Sequence, residues 1–479
     1  MAYAAMQSWW CGTCYRRGIR APARPARAAA ILTLRVSFPK KNFGEIRRVQ
    51  APSQSDEVRP REVFGWAMYD FANSGYTTVV ITAVFNAYFV SVVAGNRPWA
   101  TFAWTLALSV SYVAIVLSAP LVGAWADLHA AKKRLLGATT AGCVLFTALL
   151  AQIGPGDVAL AVVLVAASNF FFGTGENLVA AFLPELARGP ALGKVSGWGW
   201  SLGYVGGLLT LGLCLAYVTH AQGLGASAAD YVPITMLITA GMFAAASAPT
   251  FLLLRERARP QPGADRGHAM RKAYTRVLHT LRHAAQFRDL RRFLACLVFY
   301  QAGIQAVVTI AAVYAQEAMG FATRDSIVLI LAVNVTAALG AFAFGHVQDR
   351  LGHVPTIALT LAGWIATVVL AWLAETRTLF WFAANLAGLC LGASQSAGRA
   401  LVGYLSPEDR RAEFFGLWGL AVKLSSILGP ITYGAVSWLS QGNHRLAMLI
   451  TGTYFIVGLA LLAGIDPERG RRAATAASE

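Results

Sequence analysis

The chain has 479 residues, of which 56% are hydrophobic and only 13% are charged. Soluble globular domains carry about 25% charged residues, so this composition excludes an ordinary soluble domain and indicates an integral membrane protein. The formal net charge of +17 could suggest a nucleic-acid binder, but the basic residues fall between hydrophobic segments instead of forming one basic domain. We therefore expect the lipid bilayer as a partner and no nucleic acid.

The first 60 residues form a separate basic segment, which we expect to be a disordered tail. Eight lysines and arginines come before Glu45, the first acidic residue. This composition is typical of an organelle transit peptide, and a cytosolic tail or a start codon placed too far upstream would also explain it. Cys11 and Cys14 form a CGTC pair, but no second pair completes a four-cysteine zinc site. We expect no metal and no cofactor.

Twelve mostly apolar segments follow, each long enough to cross a bilayer, which requires about 20 residues in a helix. These segments are 64–94, 100–124, 134–153, 158–182, 194–218, 232–254, 293–316, 325–347, 354–374, 378–402, 414–439 and 445–464. The predicted domains are a tail over 1–60, a six-helix half over 61–254, a linker over 255–292, a second six-helix half over 293–464 and a tail over 465–479.

The loops between the predicted spans carry unequal numbers of lysine and arginine. With the N-terminus in the cytosol, the inside loops hold eight basic residues besides those of the linker, and the outside loops hold four. Because cytosolic loops are enriched in lysine and arginine, this asymmetry predicts that both termini are cytosolic.

The linker contains AMRKAYTRVLHTLRHAAQF, in which apolar residues recur at helical spacing beside arginines and lysines. The pattern predicts a basic amphipathic helix that lies on the inner membrane surface. A binding site for a regulatory partner is the alternative.

Four spans carry polar side chains on one helix face, because residues three, four and seven positions apart lie on the same side of a helix. The stripes contain Asp70, Asn73, Ser74 and Thr77 in span 1, Asn169, Gly173, Glu176 and Asn177 in span 4, Gln301, Gln305 and Thr309 in span 7, and Asn385, Gly392, Ser396 and Arg399 in span 10. These faces are candidates for a polar cavity. The alternative is that the amides only bond neighbouring helices, contributing about 0.6 kcal/mol each.

Two loops on the predicted cytosolic side repeat one pattern. GAWADLHAAKKR follows the second span and places Asp127 four residues after Gly123. GHVQDRLGH follows the eighth span and places Asp349 four residues after Gly345. Paired halves joined by a long central loop are typical of transporters built from repeats.

These loops resemble the signature of the major facilitator superfamily between spans 2 and 3 and between spans 8 and 9. The second copy matches the signature at Gly345, Asp349, Arg350 and Gly352. The first copy is degraded, with Leu128 where arginine is usual and Ala130 where glycine is usual.

A closer resemblance is to the autophagy-linked vacuolar amino-acid effluxer family and its bacterial relatives, and it runs through nearly the whole membrane region. It is carried by Gly65, Trp66, Tyr69, Asp70, Ala72, Asn73 and Ser74; Leu183, Pro184 and Glu185; Gly199, Trp200, Leu202, Gly203 and Tyr204; Gln395 and Arg399; Phe414, Phe415 and Gly416; and Lys423, Gly429 and Pro430.

The resemblance implies a major facilitator fold in which spans 1, 4, 7 and 10 line a central cavity, and these are the spans that carry the polar stripes. The fold prediction is therefore an all-α membrane protein with twelve transmembrane helices in two six-helix halves. The candidate cavity residues are Asp70, Asn73, Thr77, Asn169, Glu176, Asn177, Gln301, Gln305, Asn385, Gln395, Ser396 and Arg399. Ala302, Gly398 and Ala400 depart from the family pattern, which weakens any transfer of substrate or coupling ion.

Four ionisable residues lie in the cytosolic half of the predicted membrane region. At ~1.5 Å per residue, Asp70, Glu176 and Arg399 each lie about 9 Å inside a cytosolic helix end, and Lys423 lies about 13 Å inside one. We predict that the two acids of the first half face the two bases of the second and close the inner side. The alternative is that Asp70 or Glu176 carries a coupling proton.

The function predicted from these features is secondary transport of a small polar solute by a monomer. Amino acids are favoured because of the resemblance, while sugars or cationic drugs would fit almost as well. No nucleotide-binding loop and no HExxH or Ser/His/Asp constellation is recognisable, so we expect neither a pump nor an enzyme. A non-transporting receptor or scaffold is the remaining alternative. A bacterial inner membrane is the favoured location, and an organelle membrane is the alternative.

Overall fold

The computed structural model describes residues 58–476, apart from 96, 98, 189–190, 259, 261–274, 276–286, 318, 320, 322 and 442. We number its long helices in chain order, and each of them overlaps one predicted span. The bounds are α1 (Pro60–Tyr76), α2 (Ala100–His129), α3 (Lys132–Leu149), α4 (Val158–Ala180), α5 (Ala191–Gly223), α6 (Ala228–Leu253), α7 (Arg288–Glu317), α8 (Thr323–Leu351), α9 (His353–Leu373), α10 (Arg377–Leu405), α11 (Arg411–Leu439) and α12 (His444–Leu462).

The first predicted span is interrupted. After Tyr76 the chain continues as two π-helical segments, Thr77–Ala83 and Phe89–Val93, separated by one short α-helical turn. Two short helices, Leu183–Leu186 and α13 (Pro467–Ala476), complete the described chain. Single π-helical turns inside α-helices occur frequently at functional sites.

The composition of these helices fits a multi-pass membrane protein. Within the described residues, ten helical segments are long and apolar enough to cross a membrane, while α7 and α10 are equally long but fall outside that set. Large apolar side chains such as Leu117, Leu252 and Ile431 are exposed on the outer surface, as expected for a surface that faces lipid. The count of twelve crossings and the cytosolic position of both termini stay predictions.

Helix contacts repeat between the two halves. α1 packs against α5 and α6, just as α7 packs against α11 and α12. α4 packs against α2 and α3, just as α10 packs against α8 and α9. A shift of six helices therefore maps the contacts of one half onto those of the other.

The halves meet along two equivalent seams, in which α5 contacts α8 and α10, and α11 contacts α2 and α4. Small residues permit this approach. A Cβ atom on Gly197 would collide with the carbonyl oxygen of Ala341, and one on Gly123 would collide with the backbone of Ala412. The closest backbone contacts therefore lie beside the two repeated Gly-x-x-x-Asp loops.

An arginine after the last helix of each half ties together the helix ends that are predicted to be cytosolic. In the first half, Arg257 forms an ion pair of 2.9 Å with Glu62 near the start of α1. In the second half, Arg469 in α13 forms an ion pair of 2.6 Å with Asp289 near the start of α7. α13 lies within residues 465–479, which were predicted to be a tail.

Several sequence predictions fall on parts of the chain that the structure does not describe. The basic tail with its CGTC pair lies outside the described residues, and so does almost all of the predicted amphipathic helix in the linker. α7 begins at Arg288, within the segment predicted as linker.

Candidate functional site

Asp70 on α1 and Arg399 on α10 form a buried ion pair between the two halves. The guanidinium Nη1 lies 2.7 Å from Asp70 Oδ2. It also donates a hydrogen bond of 3.0 Å to Asp70 Oδ1. Arg399 donates two further bonds to Ser196 on α5, from Nε to Oγ over 3.1 Å and from Nη2 to the carbonyl oxygen over 3.0 Å. A cation of the second half is therefore held by acceptors of the first half.

Two tryptophans enclose the same guanidinium. The Arg399 Cζ atom lies 4.7 Å from the centre of the Trp66 ring and 5.3 Å from that of Trp200. Cation–π contacts are worth about 2 kcal/mol or more when they are shielded from water. Gly199 makes the arrangement possible, since a Cβ atom there would collide with Asp70, Arg399 and Trp66.

A second ion pair across the halves joins Glu176 on α4 to Lys423 on α11. The Nζ and Oε2 atoms are 3.4 Å apart. The Glu176 side chain is 25% exposed and that of Lys423 10%, so this pair is longer and more open than the first. Lys423 Nζ also lies 5.3 Å from the Tyr112 ring centre and 5.9 Å from that of Phe172.

The aspartates of the two Gly-x-x-x-Asp motifs, which were expected in loops, lie in the last turns of α2 and α8 and bind helix N-termini in the opposite half. Asp349 Oδ1 accepts a hydrogen bond of 3.1 Å from the backbone N–H of Lys194, near the start of α5. Asp127 Oδ2 accepts one of 3.0 Å from the backbone N–H of Glu413, near the start of α11. Carboxylates at helix N-termini are stabilising because they satisfy free N–H groups and oppose the positive end of the helix dipole. The repeated loops therefore fasten the two seams in equivalent ways.

The remaining signature residues have smaller roles in this structure. Gly352 has a φ of +87°, which favours glycine at the corner between α8 and α9. Arg350 is exposed on the surface.

Several predicted cavity residues bond neighbouring groups, as expected if their amides only link adjacent helices. Asn169 donates to the hydroxyl of Ser111 on α2. Gln301 and Gln395 are joined by a hydrogen bond of 2.7 Å between α7 and α10. These bonds lie within one half and do not connect the halves.

Two other candidates bond backbone carbonyls of their own helical segments. The Asn385 amide donates to Trp381 over 2.9 Å, and the Thr77 hydroxyl donates to Asn73 over 3.2 Å.

Other candidates are buried with free polar atoms. Among the described residues, Asn73 Oδ1, both amide atoms of Asn177 and Ser396 Oγ have no hydrogen-bond partner. Asn177 presses against α11 at Gly419, where a Cβ atom would collide with the amide. Gln305 is half-buried. Buried polar groups without partners are costly, so these positions suit contact with water or a solute.

Sequence reasoning did not assign Ser196, Trp66, Trp200, Tyr112 or Phe172 to the site. Trp66 and Trp200 belong to the motifs that carry the family resemblance, and this membership was the signal that could have assigned them to the site. The other three show no pattern of their own, because their roles depend on which helices become neighbours.

The arrangement of helices is that of solved major facilitator transporters. The chain superimposes on FucP, described as a major facilitator transporter in the outward conformation, with a TM-score of 0.67 and 14% identity, covering 86% of this chain and 99% of that one. It superimposes on the human organic anion transporter MFSD10 with a TM-score of 0.64 and 16% identity, covering 84% of this chain and all of that one. The chain therefore has the major facilitator fold.

Sequence comparison gives the family within that class. Residues 88–475 match the family described as "Vacuole effluxer Atg22 like", so the chain belongs to that family. An uncharacterized MFS-type transporter of Bacillus subtilis, YxiO, is 26% identical over 84% of this chain and 94% of its own length. Autophagy-related protein 22 of Kluyveromyces lactis is 24% identical over 44% of this chain, and the match spans 45% of that protein.

Proposed function

We propose that this protein is a secondary active transporter that moves a small polar solute, with amino acids favoured, by alternating access between the two sides of its membrane. The observation that carries the proposal is the pair of charge contacts between the halves, Asp70 with Arg399 and Glu176 with Lys423. Both contacts cross between the halves, and both would break if the halves separated on the predicted cytosolic side.

The energetics of these contacts suit a gate. Removing one partner of a buried ion pair leaves an uncompensated charge, which costs about 3 to 5 kcal/mol. A ligand must supply about 5.5 kcal/mol of differential binding to move a two-state equilibrium from 1:99 to 99:1. Loss of either partner would therefore shift such an equilibrium strongly, and a solute that replaces the contacts could release the pairs.

The chemistry of the four charges favours a zwitterion. The acids belong to the first half and the bases to the second, so a solute between the halves would meet a carboxylate on one side and a cation on the other. Charge-assisted hydrogen bonds are roughly twice as strong as neutral ones, and ammonium and carboxylate groups require partners of opposite sign. The family description, an effluxer of vacuoles, also supports transport of such a solute out of a compartment.

A sugar or drug exporter is the second candidate. FucP is described as a fucose:proton symporter and MFSD10 as an organic anion transporter, so the same fold carries other solutes in other proteins. The buried amides of Asn73 and Asn177 would suit sugar hydroxyls. For either solute, Asp70 or Glu176 could carry a coupling proton instead of closing the inner side.

Flux through purified protein in liposomes tests the proposal. The liposomes are loaded in turn with labelled amino acids, sugars, peptides and cationic drugs, with and without a pH gradient. We expect saturable flux of a zwitterionic amino acid. Flux of sugars or drugs alone would select the second candidate, and binding without flux of any solute would favour a receptor. An effect of the pH gradient would support proton coupling.

A further inference from the structure

The ammonium group of Lys423 lies in a site formed by three side chains of the first half. Tyr112 on α2 and Phe172 on α4 offer their ring faces at 5.3 and 5.9 Å from Nζ. Glu176, one turn after Phe172, places its carboxylate 3.4 Å from the same nitrogen. We call Tyr112, Phe172 and Glu176 the cation cage. A carboxylate and two aromatic faces around one point are groups that recognise an ammonium ion.

Contacts within the first half hold the cage in place. The Phe172 ring stacks on Tyr76 with ring centres 4.8 Å apart. The Tyr76 hydroxyl is fixed by a hydrogen bond of 2.8 Å to Ser168. Gly173 lies beside the lysine stem: a Cβ atom there would make an ordinary contact of 3.6 Å with Lys423 Cε and would collide with Ile115. The first half therefore carries a formed cation site into which the second half inserts one side chain.

We propose that the cation cage is the binding site for the ammonium group of the transported solute, and that Lys423 fills it as a tethered stand-in while the predicted cytosolic side is closed. This inference rests on the proposed function. A solute ammonium and the Lys423 ammonium compete for one place, so the seam between α4 and α11 cannot close through Lys423 while a solute occupies the cage. The displaced Lys423 would then be free to meet the carboxylate of the same solute.

The chemistry selects an organic ammonium ion over a simple metal cation. Sodium and other hard cations take several oxygen ligands, whereas the cage contributes one carboxylate and two ring faces. An alkylammonium ion also has an apolar stem, and the stem of Lys423 already lies beside Gly173. A small primary alkylammonium is therefore the appropriate probe.

Chemical replacement of the lysine side chain tests the cage directly. In the purified Lys423→Ala variant, propylammonium chloride should raise the melting temperature in a saturable manner, whereas sodium chloride and 1-propanol at equal concentration should not. The apparent affinity of the wild-type protein for propylammonium should be weaker by a factor of at least about ten, because Lys423 already occupies its cage. Lys194→Ala, which removes a lysine from the other seam where it lies over Trp198, is the matched control and should give no such response.

A second variant separates loss of the cage from loss of the lysine. Lys423→Ala combined with Glu176→Gln should lose the propylammonium response, since the carboxylate is absent. If Lys423→Ala does not fold, Lys423→Met keeps the apolar stem, and methylammonium is then the probe. Equal stabilisation by sodium chloride or propanol, an equal response in the Lys194→Ala control, or a response that persists without Glu176 would overturn the proposal. Melting temperature is measured without any flux, so a negative result concerns the cage and leaves the proposed transport to its own test.

Discussion

Arg399 of the second half lies 2.7 Å from Asp70 of the first half, and its guanidinium is enclosed by the rings of Trp66 and Trp200. An ion pair in this setting is shielded from water by aromatic groups, so the attraction between its charges is screened little. The same shielding makes either charge expensive without the other. The two proposed roles of Asp70, pairing with Arg399 to close the predicted cytosolic side and carrying a coupling proton, would therefore compete.

Replacing Asp70 by asparagine separates these two roles. If Asp70 serves as the latch, Asp70→Asn leaves the Arg399 charge without its partner, and both solute exchange and gradient-driven flux should fall. The measurement is flux in liposomes with a solute found by the screen, with and without a pH gradient. Exchange at the wild-type rate together with loss of gradient-driven flux would instead make Asp70 the proton carrier.

Gly199→Ala should disrupt the first ion pair without changing any charge. The added methyl group would collide with Asp70, Arg399 and Trp66, so the carboxylate and the guanidinium must move apart. We expect a lower melting temperature and reduced flux. Gly212→Ala on the same helix is the control, because a Cβ atom there meets nothing within 4 Å. That control should be neutral or slightly stabilising, since an alanine within a helix is more favourable than a glycine by about 1 kcal/mol. Equal melting temperatures and equal flux in the two variants would show that the close contact at Gly199 is unimportant.

The contact between Arg469 and Asp289 should stabilise the second half in a pH-dependent way. The hydrogen bonds from Arg469 lower the pKa of the Asp289 carboxyl, against a smaller opposing effect of burial. A carboxyl whose pKa is lowered by folding adds stability above its ordinary pKa of about 3.9, and this stability is lost as the pH falls through the lowered value.

Arg469→Ala should therefore lower the melting temperature at neutral pH, and its difference from wild type should shrink as the pH falls below about 4. Arg472→Ala, on the exposed side of the same helix, serves as the control and should behave like wild type. A difference between Arg469→Ala and wild type that stays constant with pH would show that the carboxyl of Asp289 is not involved.

The sequence predicted the charged cluster because an ionised group in hydrocarbon needs a partner, and only four such residues lay at similar depth. Hydropathy and helical spacing likewise placed every long helix, since the bilayer imposes a minimum length and internal backbone bonding. The repeated Gly-x-x-x-Asp loops indicated paired halves, and the repeated helix contacts agree with that reading.

Other features could not be read from the sequence because they depend on which helices become neighbours. Asn169 lies seven residues before Glu176, the charged residue of α4, and so on the same helix face, yet it bonds Ser111 on α2. The aromatic faces around Lys423 come from α2 and α4, far away in the chain. The helix α13 was predicted as a tail because it is short and polar, and its stability depends on contacts with α7 and α10.

The central claim is that the two ion pairs between the halves hold the predicted cytosolic side closed. It is tested by spin labels at Arg134→Cys and Leu351→Cys, two exposed positions at the predicted cytosolic ends of different halves. Cys11 and Cys14 are replaced by serine, and the four cysteines of the described chain are buried. The distance between the labels is measured by pulsed electron paramagnetic resonance in wild type, Glu176→Lys, Lys423→Glu and the double variant.

We expect one short distance in wild type, a longer population in each single variant because like charges then face each other, and a return toward the short distance when both charges are exchanged. A double variant whose distances are as long as those of the worse single variant, or single variants with the wild-type distance, would contradict the claim.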